Sequence, residues 1–153
     1  MSHDVACLLV QAGSHPCAIP LAAAVETMRP LPADRLPGMP AALLGLAVIR
    51  GMTVPVVDLA ALFGERAGAP ERYVLARAGG RFVALAVTAV DGVAAIDGAE
   101  VETGGAIAAG VAAPCVDAVV TRGGRALAVL DVARILPEVI AGAIDRAGAS
   151  AHE

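Results

Sequence analysis

Side chains capable of acid–base or nucleophilic chemistry are few in this sequence. Ser14 and His15 are adjacent, and neighbours in a turn cannot reach each other with the geometry of a catalytic triad. Glu100 and Glu102 would share one face of a strand, but no polar partners surround them, so a solvated strand edge is the better interpretation. We therefore predict no catalytic residues.

Lysine is absent, because all eleven basic residues are arginines. This excludes a Walker-A lysine, a Schiff-base lysine and a kinase lysine. Gly104, Gly105 and Gly110 also lack the spacing of a loop that cradles phosphate. We predict that the chain is not an enzyme and binds no cofactor.

Metal-ligating residues do not cluster in the sequence. Cys7, Cys17 and Cys115 are odd in number and widely spaced, and His3 and His152 lie near the chain ends. We predict no metal site and interpret the cysteines as buried thiols in a reducing compartment. A reactive cysteine remains the alternative.

Composition favours one domain of β structure. The 153 residues, taken as a single domain over 1–153, can bury a sizeable core, and 36 of them are alanines, so Val, Leu and Ile must fill it. The net charge is −4 and the arginines are scattered, which argues against nucleic acid as a partner. Residues 5–25 are interrupted by Gln11 and Pro16 and preceded by Asp4, so we predict a cytoplasmic protein without direct membrane insertion.

Turn-forming residues recur at intervals that allow one short strand each, which favours a barrel or sandwich. The clearest hairpin joins residues 73–76 to residues 82–87 through Gly79 and Gly80. Four prolines between residues 30 and 40 exclude a regular helix there. The polar stretch 64–72 is the predicted seam between two subdomains, although strands are free to cross between them.

A faint internal repeat predicts two similar lobes. Residues 54–62 follow Arg50 and Gly51, and residues 127–135 follow Arg122 and Gly123, each copy reading turn, strand, aspartate, short helix. The aspartates, Asp58 and Asp131, are interpreted as helix N-caps. Apolar spacing after Pro137 predicts a C-terminal helix, and the tail of about residues 146–153 is expected to be mobile.

Residues 46–64, which read LAVIRGMTVPVVDLAALFG, resemble the signature of the CheW-like domain family. That signature is an Asn-Leu-Arg-Gly turn, two variable residues, and an apolar-Pro-apolar-apolar-Asp-Leu strand end. The resemblance continues in residues 17–21, 25–30 and 126–137. It implies a mainly β fold of two packed five-stranded SH3-like barrels with short helices.

The resemblance also implies a function. CheW-like adaptors bind the regulatory domain of a CheA-type histidine kinase on one surface and the cytoplasmic hairpin tip of a methyl-accepting chemoreceptor in a groove between the barrels. The expected role is therefore a non-catalytic adaptor, held at membrane-bound receptor arrays through its partners.

Carried onto this sequence, the family's turn arginine falls on Arg50 and its glutamate partner on Glu26. The predicted partner-binding residues lie in or beside the matched motif: Arg50, Glu26, Ala24, Met52, Val54 and Val56. The alternative for Arg50 is a solvated hairpin residue.

Three positions differ from the family pattern. Val48 replaces the turn asparagine, Ala84 replaces a glycine, and Thr88 stands where the downstream strand usually has aspartate. These differences motivate an alternative function, a stand-alone ligand-binding or regulatory module of the same fold outside standard arrays. Co-assembly with a kinase would favour the adaptor, and thermal stabilisation by a small molecule would favour the module.

Overall fold

A computed structural model describes residues 4–65, 68–97, 101–102 and 115–135. These residues form eleven strands and a short helix, with a helical turn at residues 132–135. The elements are β1 Asp4–Ala12, β2 His15–Pro20, β3 Ala24–Met28, β4 Leu43–Ile49, β5 Met52–Asp58, α1 Leu59–Leu62, β6 Arg72–Ala78, β7 Arg81–Val87, β8 Ala89–Asp97, β9 Val101–Glu102, β10 Val116–Arg122 and β11 Arg125–Leu130.

The strands make two sheets. The nested sheet, in the order β3-β6-β7-β5-β4, comes from one continuous stretch of chain, and the flanking sheet, in the order β8-β1-β2-β11-β10-β9, comes from the segments on either side of it. The mainly β class with two packed sheets is confirmed, as is the hairpin of β6 and β7. The predicted C-terminal helix and the 146–153 tail lie outside the described residues.

Five strands of the flanking sheet repeat the nested sheet. β8, β1, β2, β11 and β10 correspond in order to β3, β6, β7, β5 and β4, including the one parallel pair in each sheet. Both sheets also carry a bulge on the equivalent edge strand, at Val25 and at Asp91. The internal repeat is thus confirmed.

The register of that repeat differs from the one expected. When Asp58 is aligned with Asp131, Arg50 falls on Gly123 rather than on Arg122. Glu26 on β3 pairs with Leu75 on β6, and the residue of β1 equivalent to Leu75 is Leu9. Leu9 pairs with Gly92 on β8, so Glu26 corresponds to Gly92. The arginine and the glutamate of the nested sheet therefore correspond to two glycines in the flanking sheet.

Each sheet curls around its own apolar core, and a larger shared core lies between them. Because side chains alternate along a strand, Val54 and Val56 enter the nested core while Val57 enters the shared one. The nested core contains Ala47, Ile49, Val54, Val56, Tyr73, Leu75, Ala84 and Ala86; the flanking core contains Cys7, Ala18, Ile96, Val120 and Leu127.

The proline-rich connector covers the edge of β4. Asp34 and Leu46 exchange two backbone hydrogen bonds of 2.8 and 2.9 Å, and the Tyr73 hydroxyl donates to the Leu31 carbonyl at 2.9 Å. Gly45 permits this approach, since a Cβ there would lie 2.7 Å from the Asp34 oxygen. The connector thereby shields a strand edge that could otherwise pair with another chain.

The start of the 64–72 connector fastens the two sheets together. The Glu65 carboxylate accepts hydrogen bonds from the Ser14 amide at 3.1 Å, the Ser14 hydroxyl at 2.8 Å and His15 Nδ1 at 2.6 Å. The His15 ring stacks on Phe63 with centroids 4.9 Å apart. We call these four residues the Glu65 clasp, because they join the end of α1 to the turn between β1 and β2.

Candidate functional site

The turn between β4 and β5 places an arginine in a conformation that arginine rarely adopts. Ile49 pairs with Met52, so Arg50 and Gly51 form a two-residue hairpin turn, with φ values of 53° and 77°. Positive φ at both central residues is the type I′ pattern, which fits the twist of the strands and favours glycine or asparagine. Arg50 is the one non-glycine residue with positive φ in the described chain.

The Arg50 side chain reaches from the β4–β5 turn to Glu26 on β3. Nε donates to Glu26 Oε1 at 2.9 Å and Nη2 donates to Oε2 at 2.6 Å, which is a two-bond guanidinium–carboxylate pair. These hydrogen bonds and the attraction of the Glu26 charge raise the pKa of Arg50. Because β3 and β4 are opposite edges of the sheet, the pair joins the two edges.

Two further predicted residues flank this pair and two do not reach the surface. Met52 is 37% exposed beside the turn, and Ala24 is half-buried on β3. Val54 and Val56 are 1% and 0% exposed inside the nested core. A partner cannot touch these two valines, so the accessible part of the predicted set is Arg50, Glu26, Met52 and Ala24.

Comparison with known proteins decides the family. A model of the CheW-like domain matches residues 6–139. The chain belongs to the CheW-like domain family. No curated protein matches the chain.

The fold resembles that of a solved CheW. The scaffolding protein TtCheW from Thermoanaerobacter tengcongensis superposes with a TM-score of 0.71 at 18% sequence identity, covering 85% of this chain and 90% of that one. CheW-like proteins are scaffolds and adaptors of chemotaxis. No helix in the described part of this CheW-like domain is long and apolar enough to cross a bilayer.

The two aspartates of the repeat accept hydrogen bonds at helix starts in this CheW-like domain. Asp58 Oδ1 accepts from the Ala60 amide at 3.2 Å, and Asp131 Oδ1 accepts from the Ala133 amide at 3.1 Å. Burial raises the pKa of Asp58, while its backbone hydrogen bonds act in the opposite direction. Both side chains are thus engaged within the fold.

The positions that depart from the CheW-like pattern have different surroundings. Ala84 is fully buried and pairs with Val56 and Leu75, so its methyl group fills the nested core. Thr88 accepts a hydrogen bond from the Gly13 amide at 3.0 Å through its hydroxyl. Val48 is 68% exposed on the outer face of β4. Of the three, Val48 is the most exposed.

An apolar surface that the sequence did not reveal lies on the flanking sheet. Ala6 pairs with Ala95, the Leu21 amide donates to the Ala6 carbonyl at 2.8 Å, and Val93 is 60% exposed opposite Leu8. We call Ala6, Leu21, Val93 and Ala95 the apolar strip. The sequence did not indicate that these residues are exposed, because apolar residues on both faces of a strand are also typical of a strand buried on both faces.

Metal-ligating side chains and thiols were both predicted to be without a functional site, and their surroundings differ within the part of the chain that the structure describes. No group of three or more His, Cys, Asp or Glu residues is positioned there to hold a metal ion. All three cysteines are buried. Burial and the nearby Cys115 raise the pKa of Cys17 to about 12, so this thiol stays protonated at neutral pH and is a poor nucleophile.

Proposed function

We propose that this chain is a non-catalytic adaptor that couples chemoreceptors to a CheA-type histidine kinase. The observation that carries the proposal is Arg50, a charged residue held at an unfavourable backbone position with 62% of its side chain exposed. Glycine or asparagine would suit this turn better, so hairpin geometry alone does not account for the arginine. A contact between Arg50 and a partner protein would account for an arginine at this position.

The guanidinium retains a donor for such a partner. Glu26 accepts from Nε and Nη2, whereas Nη1 makes no hydrogen bond within the described residues. Glu26 therefore fixes the orientation of the group and leaves one edge directed outward. An oriented arginine loses little side-chain entropy on binding, and arginine is enriched among the residues that dominate interface energies.

Exposed side chains on β4 and β5 lie beside this turn. Val48 and Thr53 face outward as a cross-strand pair beside the turn, and Met52 adds a flexible side chain. A central arginine with aliphatic and methionine neighbours matches the composition of interface cores. We assign this surface, made of Arg50, Val48, Met52 and Thr53, to the regulatory domain of the kinase.

The apolar strip is assigned to the receptor. It borders the shared core through Leu8 and lies where the chain passes from β2 towards Ala24 on β3. The tip of a chemoreceptor is a helical hairpin, and an amphipathic helix binds by laying its apolar face against such a surface. Binding there would hold the adaptor at membrane-bound receptor arrays without inserting it into the bilayer.

The kinase assignment is tested with Arg50→Gly, which removes the guanidinium but suits the positive φ of the turn. We expect the hairpin to remain folded and the dissociation constant for the regulatory domain of the host's CheA-type kinase to rise at least about tenfold in calorimetric titration. The matched control is Arg72→Gln, since Arg72 pairs with Val87 at the opposite end of the nested sheet.

The receptor assignment is tested with Val93→Asp, which places a charge in the apolar strip. This variant should lose binding to the receptor hairpin and keep binding to the kinase, whereas Arg50→Gly should do the reverse. Normal binding by both variants would refute both surfaces. If the unsubstituted protein bound neither partner, the adaptor role itself would be wrong.

A further inference from the structure

A cavity opens beside the turn between β10 and β11 on the flanking sheet. Its volume is about 260 Å³. Leu9, Pro16 and Leu127 contribute apolar walls, and Arg122, Arg125 and Asp91 contribute charged ones. The cavity is therefore partly apolar and partly charged, as small-molecule sites usually are.

The flanking sheet lacks the ion pair that spans the nested sheet, and one of the two glycines in its place, Gly123, lines the cavity. The positions equivalent to Arg50 and Glu26 are Gly123 and Gly92. A Cβ atom added to either glycine would meet no atom within 4 Å, so space is open beside both. Where the nested sheet has the guanidinium of Arg50 and the carboxylate of Glu26, the flanking sheet leaves open space.

Positive charge converges at this opening, and one of its two arginines has no partner within the described residues. Arg122 and Arg125 are directly paired across the β10–β11 hairpin, and like charges in that arrangement repel each other. Arg125 donates to the Ser14 carbonyl at 3.2 Å. Arg122 makes no hydrogen bond or ion pair within the described part of the chain, so its guanidinium is available to an anion.

One carboxylate limits what kind of anion can enter. The bulge of β8 turns Asp91 towards the cavity, where its Oδ2 accepts a hydrogen bond from Gln11 Nε2 at 2.7 Å. A ligand with a second negative charge would be repelled by Asp91. The lining thus favours a single negative charge, placed near Arg122, on an otherwise apolar molecule.

We propose that this cavity binds a small organic monocarboxylate. Its carboxylate would accept hydrogen bonds from Arg122, and its hydrocarbon part would lie against Leu9, Pro16 and Leu127. The volume of about 260 Å³ lies just below the roughly 300 Å³ at which sites for drug-sized ligands begin, so it suits a smaller acid of about six carbons. Because the cavity belongs to the other sheet, this inference does not depend on the adaptor proposal.

The test is an NMR titration of the ¹⁵N-labelled protein with hexanoate as the probe. We expect saturable shifts of the Gly92, Gly123 and Gly124 amides with a dissociation constant in the millimolar range. Hexan-1-ol, which replaces the carboxylate with an uncharged hydroxyl, and hexane-1,6-dioate, which adds a second charge, should each bind at least about tenfold more weakly.

Variants identify the group that recognises the anion. Arg122→Gln should weaken hexanoate binding at least about tenfold, while Arg29→Gln, an exposed arginine after β3, should leave it unchanged. Equal binding of hexanoate and hexan-1-ol, equal affinity of Arg122→Gln and the unsubstituted protein, or the absence of saturable shifts at these glycines would each overturn the proposal.

Discussion

The guanidinium of Arg50 and the carboxylate of Glu26 form an ion pair that joins a hairpin turn to a strand at the opposite edge of the same sheet. The pair has two separable consequences. Towards the protein it ties the sheet edges together, and towards solvent it presents an oriented charge. The predictions below begin by separating these effects.

Exchanging the charges of Arg50 and Glu26 should restore the tie between the sheet edges but not the positive charge that the turn presents to solvent. Arg50→Glu and Glu26→Arg should each lower the melting temperature, and the double variant should recover part of the loss because an ion pair can form again. Kinase binding should stay weak in the double variant, since a carboxylate then occupies the turn. Circular dichroism melting and calorimetric titration measure the two outcomes; recovery of binding together with stability would mean that Arg50 acts only through the fold.

The Glu65 clasp should make the melting temperature depend on pH. Hydrogen bonds from the Ser14 hydroxyl, the Ser14 amide and His15 lower the pKa of Glu65 from its ordinary 4.5. A lowered pKa stabilises the fold above the ordinary value, and this contribution is lost as the pH falls through the lower folded-state value. The melting temperature of the unsubstituted protein should thus exceed that of Glu65→Gln near neutral pH, with the difference shrinking below about pH 4.5.

A parallel pH series with Glu71→Gln, an exposed glutamate next to β6, supplies the control for this measurement. Its melting temperature should follow that of the unsubstituted protein at every pH. A constant difference between Glu65→Gln and the unsubstituted protein across the series would contradict the proposed role of the clasp.

Gly13 should be harder to replace than a glycine with the same backbone conformation. Gly13 and Gly79 have φ values of 63° and 62°, but a Cβ on Gly13 would lie 2.7 Å from Glu65 Oε2, whereas one on Gly79 would meet nothing within 4 Å. Gly79→Ala should lower the free energy of unfolding by about 1 to 2 kcal/mol through backbone strain, and Gly13→Ala by more. Urea denaturation measures both, and equal losses would show that Glu65 moves aside freely.

The same substitution at two valines should distinguish surface from core. Val56→Ala removes atoms from the nested core and should lower the free energy of unfolding by about 2 kcal/mol. Val48→Ala, at a site that is 68% exposed, should change it by less than about 0.5 kcal/mol and weaken kinase binding instead. Unfolding titrations and kinase-binding assays on both variants check this, and weaker binding by fully folded Val56→Ala alone would reverse the assignment.

Local sequence signals predicted much of the fold. The glycine pair at residues 79–80 marked the β6–β7 hairpin, and the repeat around Asp58 and Asp131 indicated two similar lobes. These features depend on turn chemistry and strand propensity, which neighbouring residues determine. The resemblance to CheW-like domains, rather than spacing, led to Glu26 as the partner of Arg50.

Contacts between distant segments were not predictable. The 64–72 stretch was expected to be a polar seam, yet Glu65 binds Ser14, 51 positions earlier. Alternation along β5 placed Val54 and Val56 on one face without indicating that this face is buried. The register of the repeat could be assigned only from the strand pairings. Aligning Arg50 with Arg122 displaces the turn of the second copy by one residue.

The nesting of one sheet within the other has a consequence for how the protein is made. Every strand of the nested sheet lies between residues 24 and 87, so this sheet can assemble on the ribosome as soon as that stretch has emerged. In the flanking sheet β2 pairs with β11, and the paired residues Cys17 and Ala128 are over a hundred positions apart. This sheet must therefore await synthesis of the later strands. During that interval Cys17 and Ala18, which are fully buried in the folded protein, lack the β11 residues that pair with them.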